Sequence, residues 1–139
     1  MENCIFCKIV KGEIPSTKLY ESERVIVFLD INPIEKGHAL IVPKLHWSNL
    51  AEVKLDTEKE IETYEELMYV MRVTAKAVIS TGIADGANIL QCNNACAGQT
   101  VDHLHFHGII VNQFHIVESI VNFTGFPIQR KPFSVRFQL

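Results

Sequence analysis

The chain has 139 residues, of which 47% are hydrophobic and 21% are charged, and its formal net charge at pH 7 is -3. This length suits a single domain over residues 1–139 with an ordinary buried core, and the slightly acidic balance excludes the positive field that drives nonspecific DNA or RNA binding. No apolar run approaches the roughly 18 residues of a membrane span and no export-type segment opens the sequence, so we expect no membrane association and a cytoplasmic location.

The first part of the chain predicts a short helix followed by three strands. One or two helical turns end at Gly12, where glycine favours a helix stop. Two short β-forming runs then cover residues 18–22 and 24–29, separated by a polar turn. A continuous apolar run over residues 38–42 has the length of a buried strand.

A long helix and two more strands are predicted in the middle of the chain. Thr57 and Glu60 have the spacing of a capping box, in which each side chain satisfies a free backbone donor of the other residue. Apolar residues then recur every three or four positions up to Gly82, which predicts one amphipathic helix: Ile61, Tyr64, Met68, Met71, Ala75 and Val78. Strands are predicted over residues 87–92 and 99–110.

Three histidines alternate with apolar residues in the last of these strands. His103, His105 and His107 would share one face, and Leu104 and Phe106 would face the core on the other. At about 3.3 Å per residue, the outer two histidines lie roughly 13 Å apart along the strand, so one metal ion cannot bind all three. We therefore expect the three imidazoles to have different roles.

These elements predict an α+β domain with a meander of about five antiparallel strands, one long helix and a short N-terminal helix. The tail over residues 112–139 is the least legible part of the chain. Within it, apolar and polar residues alternate over 133–139, as in a strand added to a sheet edge or to a partner subunit.

Cys4 and Cys7 form a C-x-x-C pair near the N-terminus. A redox motif of this kind follows a strand, for which there is no room here, so the pair indicates half of a tetrahedral zinc site. Two histidines could complete it. The alternatives are completion by Cys92 and Cys96, or two reduced buried cysteines with no metal.

Four segments of the chain form one ordered pattern. They are Cys-Ile-Phe-Cys-Lys-Ile-Val-Lys-Gly-Glu-Ile-Pro-Ser at 4–16, Phe-Leu-Asp-Ile-Asn-Pro at 28–33, Gly-His through Val-Pro-Lys-Leu-His at 37–46, and Ala-Gly-Gln-Thr-Val leading into the three histidines at 97–107. This pattern resembles the histidine triad (HIT) family of nucleotide hydrolases and transferases, particularly its branch of small nucleotide-binding phosphoramidases. The resemblance implies the HIT-like fold and a homodimer.

The resemblance also implies a division of the histidines. His46 and His103 would join Cys4 and Cys7 in a closed, structural Zn2+ site. His105 would then be the nucleophile that forms a nucleotidyl-histidine, and His107 would bind the phosphate and assist the leaving group.

The remaining implied contacts are with a purine nucleotide such as AMP. Asp30 would accept hydrogen bonds from the ribose hydroxyls. Gly98 lets the backbone approach a phosphate, and the Thr100 hydroxyl adds a donor in the same turn as Gln99. An apolar pocket for the base would be lined by residues that could equally be ordinary core: Ile5, Phe6, Ile9, Phe28 and Ile31.

Two features depart from the family pattern. Cys92 occupies the position of an asparagine, so either the neighbouring Asn93 makes that polar contact or Cys92 changes it. The family's usual residues after the triad are replaced by Gly-Ile-Ile-Val-Asn at 108–112, and the tail that shapes leaving-group selectivity is not recognisable.

The leading hypothesis is a hydrolase that cleaves purine nucleoside phosphoramidates, or related nucleotide conjugates, to the nucleoside monophosphate. One alternative is a dinucleoside polyphosphate hydrolase. Another is a zinc-containing nucleotide-binding regulatory module with little catalysis. A β-barrel oxygenase, in which histidines bind a catalytic iron, is a third.

Overall fold

The computed structural model describes residues 3–112. The predicted strand over residues 133–139 lies outside this part of the chain. The elements, in chain order, are helix α1 (Ile5–Val10), strands β1 (Lys18–Glu21), β2 (Val25–Leu29) and β3 (Ala39–Pro43), helix α2 (Glu58–Ser80), and strands β4 (Gly86–Leu90) and β5 (Phe106–Val111). Single 3-10 turns occur at Leu50–Glu52 and Ala95–Ala97.

The strands form one antiparallel sheet in the order β1-β2-β3-β5-β4. The first three strands form the predicted meander. The last strand does not extend it, because β5 lies between β3 and β4 and pairs Leu40 with His107. This insertion places the end of the histidine run in the middle of the sheet, where backbone hydrogen bonds on both sides hold it.

The sheet buries a core on each face because β2 and β3 alternate their apolar side chains. Val25 and Val27 pack on the α2 side together with Leu104 and Phe106. The alternate side chains of the same strands pack against α1: Ile26, Phe28, Leu40 and Val42 contact Phe6 and Ile9. The α1 face is the one that carries the histidines.

Helix α2 begins with the predicted capping box and packs across β2 to β5. Its buried residues are Thr63, Leu67 and Val70. The predicted row lies beside this one: Tyr64 and Met68 are only partly buried against the core, and Ile61 is 42% exposed. The periodicity correctly predicted an amphipathic helix, but the row of Thr63, Leu67 and Val70 is more deeply buried against the sheet than the predicted row. No helix within residues 3–112 has the length and apolar character to cross a membrane.

Strand β5 is shorter than predicted, because it begins only at Phe106. The residues before it form a tight turn, in which the His103 N–H donates to the Val101 carbonyl at 2.8 Å. The next residue is held by a distant segment, because the Leu104 N–H donates to the Trp47 carbonyl at 2.6 Å. The alternation nevertheless survives. His103 and His105 both contact the Phe6 ring of α1, opposite to Leu104.

Candidate functional site

Four side chains from three parts of the chain meet beside α1, and we call them the Cys–His cluster: Cys4, Cys7, His46 and His103. The Cys7 Sγ lies 3.3 Å from His46 Nδ1 and 3.6 Å from His103 Nδ1, and the two Nδ1 atoms are 3.2 Å apart. Ligands on a tetrahedral zinc ion with ordinary Zn–N and Zn–S bonds lie about 3.3 to 3.8 Å from one another. The spacing therefore fits one metal ion.

The protonation of His103 fits the same purpose. Its Nε2 lies 2.9 Å from the Pro43 carbonyl, which can only accept, so the ring proton is on Nε2 and the Nδ1 lone pair faces the sulfur atoms. Burial lowers the pKa of His103 to about 4, so the ring is neutral at pH 7. A second hydrogen bond that fixes the tautomer is the usual companion of a histidine ligand.

The alternative set of four cysteines is not assembled. Within residues 3–112, no compact group of potential ligands contains Cys92 or Cys96. Cys92 is buried by the fold and Cys96 is exposed on the second 3-10 turn. The cysteine pair does not stand alone in the core, because His46 Nδ1 and His103 Nδ1 lie beside the Cys7 sulfur. Burial and the Cys4 thiol raise the pKa of Cys7 to about 11, so this thiol is neutral at pH 7 unless a cation is bound.

His105 stands next to the Cys–His cluster but belongs to a different arrangement. Its Nδ1 donates to the His103 carbonyl over 2.6 Å, which leaves the lone pair on Nε2. Its ring contacts Phe6 edge to face, with 5.1 Å between the ring centres, and lies 4.9 Å from the ring of His107. Burial lowers the pKa of His105, so its imidazole is neutral at pH 7.

His38 determines the tautomer of His107. The Ile34 N–H donates to His38 Nδ1 over 3.2 Å, so His38 carries its proton on Nε2. That proton points at His107 Nδ1, 2.9 Å away, which leaves the proton of His107 on Nε2. The Asp30 carboxylate is 3.6 Å from His38 Nδ1.

Both rings of this pair are buried and neutral. Burial, together with the repulsion that His105 and His38 would exert once protonated, lowers the pKa of His107 to about 3, and burial also lowers the pKa of His38. His107 is therefore a neutral hydrogen-bond donor at pH 7. His38 was not among the site residues predicted from the sequence. The signal for it was a histidine at the start of the apolar run that became β3, where a buried polar ring needs a partner.

A cavity of about 530 Å³ lies in front of His105 and His107. We call it the inner cavity. Most of the predicted substrate contacts line it: Ile5, Phe6, Ile9, Phe28, Asp30, Ile31 and Thr100. Phe6, Ile9 and Phe28 are buried beneath it, whereas Ile31 is 91% exposed at its rim.

The other three predicted contacts do not line this cavity. Asn93 accepts a hydrogen bond from the Leu50 N–H, and Gln99 donates to the Ser48 carbonyl at 2.6 Å and accepts from the Asn94 N–H at 2.8 Å. These amides fasten the loop before the triad to the segment after β3. Gly98 has φ +95°, a conformation that favours glycine.

The lining of the inner cavity is acidic where it is charged. Asp30 contributes a carboxyl group to the lining, and no lysine or arginine is among the described residues that line it. An anionic ligand would have to be held by N–H and O–H donors rather than by cations. This distinguishes the site from the Lys- and Arg-lined pockets that hold several phosphates.

Comparison with known proteins places these features in context. The family model described as HIT domain matches residues 11–115. The chain is 43% identical over 106 residues to an adenosine 5′-monophosphoramidase of Candida albicans, which covers 76% of this chain and 68% of that protein.

Two solved structures are similar in fold as well as in sequence. A HIT family protein from Bacillus subtilis superposes with a TM-score of 0.74 at 36% identity, covering 94% of this chain and 83% of its own. A zinc-bound histidine triad protein from Mycobacterium smegmatis gives 0.71 at 34% identity, covering 81% and 78%.

Proposed function

The chain belongs to the HIT family, and from that premise we propose that it is a nucleotide hydrolase that cleaves nucleoside phosphoramidates to the nucleoside monophosphate. The observation that carries the proposal is the opposite protonation of two adjacent rings. His105 has its lone pair on Nε2, and His107 has its proton there. A nucleophile beside a neutral donor is what attack on a phosphorus atom requires.

The nucleoside fits the inner cavity with its base among the apolar side chains. Phe6, Ile9 and Phe28 give an apolar floor, and Ile31 covers the rim. Asp30 is placed for the ribose, because its carboxylate accepts from the Asn32 N–H with one oxygen and retains acceptor capacity on the other. A purine base gains more from such a floor than a pyrimidine, because its larger ring buries more area.

The proposed cleavage of the phosphoramidate has two steps, formation and hydrolysis of a nucleotidyl-histidine. The His105 Nε2 lone pair attacks phosphorus, a P–N bond to His105 forms, and the P–N bond to the leaving amine breaks as that nitrogen takes up one proton from the solvent. Water then attacks phosphorus, the bond to His105 breaks, and one proton is released with the nucleoside monophosphate. The His103 carbonyl, which accepts from His105 Nδ1, stabilises the positive charge on the ring between the steps.

His107 acts as a hydrogen-bond donor and not as a cationic acid. Its pKa of about 3 keeps it neutral at pH 7, and His38 holds its proton on Nε2. The donor stabilises the charge that develops on the phosphoryl oxygens or on the leaving nitrogen. The Thr100 hydroxyl, which also lines the cavity, adds a second donor.

We propose that the Cys–His cluster binds a structural Zn2+ ion. When bound, the ion would hold Cys4 and Cys7, and with them α1, against the residues that follow β3 and precede β5. The ligand set is closed, with four protein ligands and no position for substrate. His105 is outside the cluster, so its Nε2 stays available for phosphorus.

The charge of the site favours a phosphoramidate over a dinucleoside polyphosphate. A nucleoside phosphoramidate monoester carries about one negative charge, whereas a polyphosphate chain carries several and would meet Asp30 without a lysine or arginine among the described lining residues. The purely regulatory alternative makes no use of a fixed His105 lone pair. An iron oxygenase would use two histidines and one carboxylate, and Asp30, His38 and His107 form such a group. Both ring nitrogens of His38 are already engaged, because Nδ1 accepts from the Ile34 N–H and Nε2 donates to His107 Nδ1, which disfavours metal binding there.

Mass spectrometry after brief exposure to adenosine 5′-phosphoramidate tests the proposal. We expect an adenylyl increment on the peptide that bears His105, and loss of both the increment and turnover in His105→Ala with zinc content unchanged. Cys96→Ser, which alters an exposed residue away from the site, serves as the control and should behave as the native protein. Turnover by His105→Ala at the native rate would contradict the mechanism.

A further inference from the structure

A second cavity, which we call the outer cavity, adjoins the inner one. Its volume is about 410 Å³ and it lies between the start of α1 and the segment that leads into the triad. Three of its lining residues, Ile5, Thr100 and Val101, also line the inner cavity. The remaining lining residues are Asn3, Cys4, His46 and Asp102. The two cavities are therefore neighbours that share the wall formed by Ile5, Thr100 and Val101.

The position of the shared wall determines what the outer cavity could receive. If the base occupies the apolar end of the inner cavity, the phosphorus lies at the other end, by His105 and Thr100. A group bonded to phosphorus on the side away from the nucleoside then extends past Thr100. In the proposed reaction that group is the leaving amine.

The outer cavity presents acceptors rather than cations. Asp102 and Asn3, whose side chains both carry acceptor oxygens, border it, and no lysine or arginine is among its described lining residues. Asp102 is exposed, so its side chain is hydrated in the absence of a ligand. Neither cavity has a lysine or arginine among its described lining residues, and the two thiolates of the Cys–His cluster, whose Cys4 and His46 also border the outer cavity, would balance the charge of the proposed Zn2+ ion.

We propose that Asp102 selects amine leaving groups that carry a second positive charge, as in the nucleoside phosphoramidate of a diamine or of a basic amino acid. This inference rests on the proposed phosphoramidase function and names the chemistry of its leaving group. Asp102 is a specificity residue and takes no part in bond breaking. Because it is exposed, the discrimination is modest, about two- to fivefold for one ion pair.

Three adenosine 5′-phosphoramidates with one spacer test the inference. Their leaving groups are 1,4-diaminobutane, 4-aminobutanol and 4-aminobutyrate, which end in an ammonium, a hydroxyl and a carboxylate. We expect kcat/KM to fall in that order by about two- to fivefold per step, mainly through KM, since the charge lies away from the reacting atoms. The differences should shrink in 0.5 M NaCl because exposed charges are screened.

Asp102→Asn keeps the shape and removes the charge, and Asp102→Lys reverses it. We expect the preference to disappear in the first variant and to invert towards the carboxylate in the second, with zinc content and thermal midpoint measured as checks on folding. Asp56→Asn, which alters an exposed acid before α2, should keep the native order.

The ratios between substrates, compared across variants, separate this inference from the reaction itself. A native preference that persists unchanged in Asp102→Asn, or native kcat/KM values that are equal for all three substrates, would overturn the role of Asp102 while leaving the phosphoramidase function intact. Failure of the native protein to cleave any of the three would overturn the proposed function and this inference with it.

Discussion

At His38, one imidazole determines how its neighbour is protonated. The ring accepts from a backbone N–H at Nδ1 and so must donate from Nε2 to His107. A buried histidine with two fixed partners has one tautomer, and that tautomer in turn fixes the tautomer of the next ring to which it is hydrogen-bonded. His105 is fixed independently by the His103 carbonyl. The chemistry of the site thus depends on backbone groups that carry no sequence signature.

His38→Phe should lower kcat by about 10- to 100-fold, because His107 loses the partner that orients its Nε2 proton. The loss should not exceed the roughly 100- to 1000-fold that removal of a transition-state donor costs. His38→Gln keeps an N–H donor and should recover part of the rate. Steady-state kinetics on adenosine 5′-phosphoramidate measure both. Equal losses in the two variants would indicate a packing role instead of tautomer control.

At the scale of elements, α1 depends on the rest of the molecule for its structure. It has only six residues, far fewer than an isolated helix needs in water. Phe6 and Ile9 bury its inner side, and Cys4 both caps it, by accepting from the Cys7 N–H, and belongs to the Cys–His cluster. Since Ile5, Phe6 and Ile9 also line the inner cavity, we expect the position of α1 to couple the proposed metal binding to the proposed nucleotide binding.

Removal of zinc should therefore lower both stability and nucleotide affinity. At free zinc 100 to 1000 times its Kd, binding contributes about 3 to 4 kcal/mol to the free energy of unfolding. That corresponds to roughly 10 °C in Tm for a domain of this size. Calorimetry with and without a chelator, and titration with AMP, measure the two effects.

Two serine variants test whether this effect belongs to the cluster. Cys4→Ser should reproduce the chelator, and the matched Cys96→Ser should remain sensitive to it. An AMP affinity that the chelator leaves unchanged would show that α1 keeps its position without the ion.

At the scale of the whole molecule, the sheet separates the larger hydrophobic core from the candidate functional site. The α2 side carries the larger core, and the α1 side carries the histidines, the Cys–His cluster and the two cavities. Because these imidazoles are buried on the α1 side, the stability of the folded protein depends on their remaining neutral. The homodimer and the cytoplasmic location remain predictions.

Stability should decrease as the pH falls below about 6.5. The pKa values of His38 and His107 are lowered by burial, that of His107 to about 3, so the unfolded chain binds more protons than the folded one between about pH 6.5 and 3. Their contribution is complete above pH 6.5 and is lost as the pH falls, by up to about 1.4 kcal/mol per pH unit for each histidine. Urea unfolding at pH 7.5, 6.0 and 5.0 measures it.

His107→Gln provides the comparison for this slope, because glutamine does not titrate. Between pH 6 and 5, the free energy of unfolding of this variant should depend less steeply on pH than that of the native protein, by the contribution of about one proton. An unchanged slope would mean that other groups control the acid response.

The structural predictions that rested on the strongest local signals in the sequence are confirmed. The capping box at Thr57 and Glu60 begins α2, and the apolar run after His38 is the buried strand β3. The errors lie where distant contacts decide: β5 starts late because Leu104 bonds to Trp47, and the buried row of α2 is set by the sheet beneath it. Asn93 and Gln99 fasten a loop and do not line the inner cavity, because their partners lie near residues 48–50.

The sequence by itself determined the elements, the alternation of histidines with core residues, and the Cys4 and Cys7 pair, because these depend on neighbours along the chain. The tertiary structure decided which rings meet. It placed His46 and His103 beside the cysteines, as the family resemblance implied, and it brought His38 to His107 and the outer cavity next to the inner one. Tautomers and contiguous cavities arise from groups far apart in sequence, so only the packed sheet and α1 could define them.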